Sequence, residues 1–312
     1  MMLCATAALI LCAVSPSIGV LLAAITLLGL TTVAGQILTP LAGDLADDAH
    51  RGRTVGTVAS GILTGILASR TVSGLVAEVA GWRAIYLAAA VLTLLMAALL
   101  YRAVPSLEPK TRMAYPALIA SVFQAVARER TVRWTLVLAA TSFAAFTMFW
   151  TALTFLLSGP PFYYPVSVIG LFGLAGLAGA LGAQRAGRLH DRGWSLPATG
   201  SGWTLVLAAF VLAGFARNSA LLIVVAIIML DVVIQGVAIL NQTRLFALSH
   251  EARSRLNTAY VTTNFLGGAA GSAAATLLWS VGGWTAVTLT GIALSCFALF
   301  VWALGRRGPL LA

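Results

Sequence analysis

The sequence predicts an all-α, polytopic membrane protein, and three observations carry that reading. Of its 312 residues, 60% are hydrophobic and only 9% are charged, with a mean hydropathy of +0.97. Apolar runs of about 18 residues or more, the length that crosses a bilayer as a helix, follow one another almost without pause. The runs do not alternate: "LIVVAIIML" (222–230) has none of the period-two pattern of a transmembrane β-strand. A water-soluble domain and a β-barrel are both excluded.

Ten spans are expected, in the order 1–14, 18–42, 54–80, 84–102, 134–157, 166–184, 197–216, 219–243, 256–281 and 284–304. The first, "MMLCATAALILCAV", lacks the basic start of a signal peptide and runs into another span, so it reads as a membrane helix whose beginning is cut off. Residues 103–133 are the longest polar connection. Within them Leu118, Ile119, Val122, Phe123 and Val126 recur at helical spacing, which predicts a short amphipathic helix along the cytoplasmic membrane surface. The chain therefore divides into an N-terminal bundle of four helices (1–102), a linker (103–133) and a C-terminal bundle of six (134–312). Cys4, Cys12 and Cys296 all fall in spans, without metal-ligand or redox spacing, and read as small buried apolar residues. No metal and no bound cofactor is expected.

The formal charge of +10 is a matter of topology. Sixteen of the 19 basic residues, from Arg51 to Arg307, fall on alternate connections, while the opposite side carries only Arg83 and Arg217. The positive-inside rule makes the first side cytoplasmic and puts both termini there. No nucleic-acid partner is implied, and the one basic residue left within the membrane is Arg70. His50, His190 and His250 lie in or beside the cytoplasmic loops and read as solvated.

The chain also contains a repeat. "RGRTVGTVASGILTGILASRTVSGLVAEVAGWRA" aligns without gaps with "RSRLNTAYVTTNFLGGAAGSAAATLLWSVGGWTA" at an offset of 202 residues. The alignment matches Arg51 with Arg253, Arg53 with Arg255, Gly65 with Gly267, Gly81 with Gly283 and Trp82 with Trp284. In both copies Arg-x-Arg anchors one end of a helix and Gly-Trp turns the chain at the far surface. Duplicated halves are common in secondary transporters.

Two halves, a basic linker with a surface helix, and the Gly-rich helix around 54–80 together resemble the major facilitator superfamily, in particular its drug/proton antiporter-like branch. "GRLHDRG" (187–193) is similar to the family's Gly-x-x-x-Asp-Arg-Gly loop signature and supplies Gly187, Asp191, Arg192 and Gly193, with Ser195 where the family has a basic residue. The resemblance implies a two-bundle fold in which the ten spans are helices three to twelve of twelve. The first two helices would then lie outside this sequence, either because it is a fragment or because the gene is shortened. It further implies a monomeric secondary transporter of the bacterial inner membrane, exporting a small organic molecule by alternating access at the expense of a proton gradient. A truncated, non-transporting remnant or a structural membrane protein is the competing expectation. An enzyme is not expected: the sequence has no HExxH motif, no phosphate-binding Gly-x-x-x-x-Gly-Lys loop and no cluster of histidines or carboxylates.

An ionisable group near mid-membrane costs about 2.5–3.5 kcal/mol on insertion scales, so it calls for a function or a partner. Arg70 and Asp231 are the two such groups, at similar depths. Thr57, Gly61, Gly65, Ser69 and Ser73 form a small-residue ridge beside Arg70. Such a ridge allows a close helix approach, and the Gly-rich run 170–182 is a suitable partner. In the antiporter branch this helix ends in a Gly-Pro pair; here Ser69 and Arg70 occupy those positions. Arg70 is either a structural tether or a substrate-binding or coupling group. Asp231, Gln235, Ala238 and Gln242 form a polar stripe on a helix that, by the resemblance, borders the central cavity. Burial and a nearby cation act oppositely on a carboxylate's proton affinity. Asp231 is therefore the leading coupling candidate, with a static pairing to Arg70 as the alternative. Weaker cavity candidates are Thr32 and Gln36; Thr147, Trp150, Thr151 and Thr154; and Tyr260 with Asn264. Gln36 and Asn264 stand out because an amide is not easily satisfied within its own helix. Asp191 would pair in one gate state and release in the other.

Overall fold

The computed structural model describes residues 1–32, 51–104, 114–176, 193–248 and 252–310, with Leu38, Leu41, Ala42 and Leu45. The side chains at 51–53, 55–56, 59–60, 62–63, 66–67, 70 and 115 lie outside that description. The described residues are helical almost throughout and contain no strand. The helices are α1 (Met2–Val14), α2 (Ile18–Thr31), α3 (Arg51–Ala80), α4 (Trp82–Ala103), α5 (Tyr115–Arg128), α6 (Arg130–Ser158), α7 (Val166–Gly176), α8 (Ser195–Phe215), α9 (Ala220–Leu248) and α10 (Arg253–Gly305). The last is two spans in one. Gly282 (φ −151°, ψ 17°) and Gly283 (φ 57°, ψ −146°) leave helical geometry, and the chain bends there. With α5 set aside as the surface helix and α10 counted as two, the apolar helices number ten among the described residues, and α4, α6, α8, α9 and α10 are long enough and apolar enough to cross a membrane.

Two compact units are formed, one from residues 1–110 with 165–174 and the other from 111–164 with 175–312. In the first, α1 packs on α2 and α4, and α3 packs on α4. Ser17 caps α2 by accepting a hydrogen bond from Val20 N (3.4 Å). The Arg83 guanidinium donates to Ser15 O (3.1 Å), tying the start of α4 to the end of α1. Large apolar side chains of α4, such as Val91, Leu95 and Leu99, are more than half exposed. In a bilayer they meet acyl chains rather than water.

Among the described residues, α3 makes its close approach beside the end of the small-residue ridge. A Cβ on Gly61 or Gly65 would meet nothing within 4 Å, whereas one on Gly74 would lie 2.9 Å from Val166 O and 3.2 Å from Ser167 Cα. Thr71 Oγ1 reaches Gly170 O at 3.4 Å beside it. Gly170, the first residue of the Gly-rich run, thus meets α3 at Thr71, and residues 177–182 of the run lie outside the described residues.

In the second unit α6 packs on both α9 and α10, and α8 closes against the same two helices. Val132, Leu136, Ala139, Leu245, Leu256, Ala259 and Tyr260 form a buried cluster at one end, which α5 covers with Val122, Ala125 and Val126. Phe123 on α5 stays 72% exposed, with Leu118 and Ile119 also outward. This helix thus has one face on protein and another free for the membrane surface.

Two expectations are corrected. Cys12 is buried, but Cys4 and Cys296 are exposed, because each lies on the outward face of its helix. Helix α9 continues past residue 243 to Leu248 and carries Arg244 with it. Arg244 is 1% exposed rather than part of a polar connection.

Candidate substrate site

Helix α6 presents Phe143, Phe146 and Trp150 at helical spacing. The rings of Phe143 and Phe146 stack at 5.9 Å with planes 20° apart, and Trp150 lies 6.3 Å beyond Phe146. Helix α9 runs alongside with Gln235, Ala238 and Gln242, and α10 contributes Tyr260 and Asn264. Together with Ser142 these elements enclose a cavity of about 280 Å³. No charged side chain among the described residues lines it.

Glycine lets α10 come close enough to form this wall. A Cβ on Gly267 would strike the backbone of Ala140, and one on Gly271 the backbone of Ala144. Polar contacts cross the same seam: Thr147 Oγ1 donates to Gly268 O (2.8 Å), and Thr151 and Ser272 share a hydroxyl–hydroxyl bond (3.1 Å). The Tyr260 hydroxyl donates to Ala238 O (3.1 Å) and meets the Asn264 side chain. Gln242 Nε2 donates to Asn257 Oδ1 (3.1 Å).

Asp231 sits one turn from Gln235 on α9, 5% exposed. Its Oδ1 accepts a hydrogen bond from Trp150 Nε1 at 3.1 Å. A carboxylate in an apolar interior is tolerated only when it is hydrogen-bonded or paired. The indole meets part of that requirement, so the leading coupling candidate is joined to one of the weaker cavity candidates.

A family model described as Major Facilitator Superfamily matches residues 1–272. The chain belongs to that superfamily. It is 42% identical over 302 residues to the uncharacterized transporter YgaY of Escherichia coli O157:H7, a match covering 97% of this chain and 77% of the relative. It is 31% identical over 257 residues to "Probable transporter SCO4007" of Streptomyces coelicolor, covering 82% of this chain and 60% of that one. The crystal structure of the human organic anion transporter MFSD10 (TETRAN) matches with a TM-score of 0.65 at 19% identity, over 96% of this chain and 76% of the other. That likeness speaks for the fold. As a superfamily member, the protein is a multi-pass membrane transporter for small molecules and not an enzyme.

The structure brings Gln235 and Asn264 to this cavity and sets Asp231 and Trp150 one turn away along their helices. Thr147 and Thr151 serve the α6–α10 seam, and Thr154 bonds its own helix at Trp150 O (3.3 Å). Thr32 bonds Leu28 O (2.7 Å) in the first unit. Gln36, Gly187, Asp191 and Arg192, the Arg70 side chain and the three histidines lie outside the described residues. Gly193 is described, with φ 74°, a left-handed turn that suits glycine.

Two features escaped the sequence reading. Ser142 is 4% exposed and lines the cavity, yet its Oγ has no hydrogen-bond partner. Among the described residues Arg244 donates to Asn241 Oδ1 (3.5 Å), Ser195 Oγ (3.4 Å) and Thr199 Oγ1 (3.4 Å), all uncharged acceptors.

Proposed function

We propose that the protein is a secondary transporter of the drug/proton antiporter type, located in the bacterial inner membrane. It exports a small apolar or amphipathic organic molecule through the α6–α9–α10 cavity against proton entry. One observation carries the reading: the buried Asp231 carboxylate, held by Trp150 Nε1, lies one turn from Gln235 on the cavity wall. A proton arriving at Asp231 changes the charge beside the substrate path, and the same helix links that change to the cavity. Such a link is what exchange of proton for substrate needs.

The test is flux in proteoliposomes under an imposed pH gradient. Asp231→Asn should retain substrate binding and lose the response to the gradient. Gradient-driven flux at the wild-type rate would remove Asp231 from coupling.

The Trp150 bond also favours a second reading, in which Asp231 is structural. In that case Asp231→Asn should lose thermal stability in detergent along with transport. A variant as stable as the wild type that has lost the gradient response leaves the coupling reading in place.

A further inference from the structure

Thr135 and Ser142 are the two buried hydroxyls of α6 without a hydrogen-bond partner among the described residues, and of the two only Ser142 lines the cavity. Thr141, Thr147, Thr154 and Ser158 each donate to a carbonyl of their own helix. Such back-bonding is how hydroxyls in membrane helices are usually satisfied. Ser142 Oγ makes no such bond although the residue is 4% exposed, and it opens on the cavity. An unpaired buried hydroxyl costs about 1–3 kcal/mol, which a bound hydrogen-bonding group would recover. Across the cavity, Gln235 makes no side-chain hydrogen bond with another described residue, and Asn264 presents a second amide. These three side chains offer both donors and acceptors and no charge.

The remaining wall is aromatic. The rings of Phe143 and Phe146 are nearly parallel, 20° apart, and stack on each other at 5.9 Å between centroids. A further planar aromatic ring extends such a stack, a geometry aromatic pairs favour beyond simple burial. An ion would lose several kcal/mol of hydration on entering, with no opposite charge among the lining residues to offset the loss.

We propose that the ligand is an uncharged, planar aromatic molecule carrying an amide-like hydrogen-bonding group. Its ring stacks on Phe143 and Phe146, and its polar group binds Ser142, Gln235 and Asn264. This rests on the reading of the cavity as the substrate site, but not on proton coupling.

Three naphthalenes that differ only in charge test the proposal: 2-naphthamide, 2-naphthoate and 2-naphthamidinium. Their binding to the full chain in detergent is followed by tryptophan fluorescence at fixed pH, without a gradient. Naphthamide should bind at least about tenfold tighter than either ion. Ser142→Ala and Gln235→Leu should each weaken it about fivefold, one neutral hydrogen bond, while Thr154→Ala leaves it unchanged. Gln235→Glu, which keeps the side chain's shape, should move the preference to the amidinium. Equal or tighter binding of either ion by the wild type, or amide binding indifferent to both Ser142→Ala and Gln235→Leu, overturns the proposal. Asp231→Asn separates the two readings. Retained amide preference with gradient-driven flux sinks coupling alone, whereas lost flux in a protein that prefers an ion sinks the ligand class alone.

Discussion

Gly81 and Gly283 occupy equivalent places in the internal repeat, and both hold positive φ, 78° and 57°, immediately before a tryptophan. Each turn also docks on the end of an earlier helix. Trp284 Nε1 donates to Ala213 O (2.7 Å) near the end of α8, and Arg83 donates to Ser15 O (3.1 Å) just past α1. From there the two copies diverge. Trp284 is 5% exposed and meets Phe149 edge-on at 5.6 Å. Trp82 is 40% exposed, with only Tyr86 and the Arg83 guanidinium against its ring. The helices that lead to the turns differ in the same way: Gly267 and Gly271 are pressed on the α6 backbone, while Gly65 faces open space. One motif yields one backbone, and the neighbouring helices decide how much energy it carries.

That contrast sets the order of effects. Trp284→Ala removes a buried ring and its hydrogen bond and should cost about 3–5 kcal/mol; Trp82→Ala should cost about 1 kcal/mol or less. Thermal unfolding in detergent would show the gap, and equal shifts would erase the distinction between the turns. Gly271→Leu forces α10 away from α6, at about 3 kcal/mol. Gly65→Leu should be nearly silent in the same assay, and a large loss there would place an unseen neighbour on that ridge.

Gly81→Ala and Gly283→Ala should behave alike, because both place a side chain in a conformation open almost only to glycine, at about 2 kcal/mol each. Unequal costs would show that surroundings reach even the turn itself. Smallest is Thr151→Val, which breaks the bond to Ser272 for about 0.6 kcal/mol, the usual value between membrane helices.

Helix number and type were legible because hydropathy at bilayer length leaves few alternatives, and the bend in α10 was legible because Gly-Gly-Trp repeats Gly-Trp at a fixed offset. The packing of α3 was not. Small residues permit a close approach at several points along a helix without saying which of them is used, and among the described residues the tightest one on α3 is at Gly74. Arg244 was misplaced because the polar run Asn241-Gln242-Thr243 looks like the end of a span. Ser195 and Thr199, distant in sequence, supply the acceptors that let the helix continue. At the site, Asn264 could be singled out by amide chemistry and Gln235 by its place in the polar stripe with Asp231. Ser142 could not, since whether a serine bonds its own helix depends on rotamer and neighbours rather than spacing.

The bend at Gly282 and Gly283 also governs how the protein responds to bilayer thickness. Backbone groups freed at such a break cannot be left in hydrocarbon, so the bend belongs at a water-facing surface. Measured from there, the 29 residues of the first arm (253–281) span about 43 Å and the 22 of the second (284–305) about 33 Å, against a core of about 30 Å. The first arm has length in reserve and tolerates a thicker membrane. The second has almost none, so mismatch falls on Arg306 and Arg307, whose long side chains can follow the headgroups as the boundary moves.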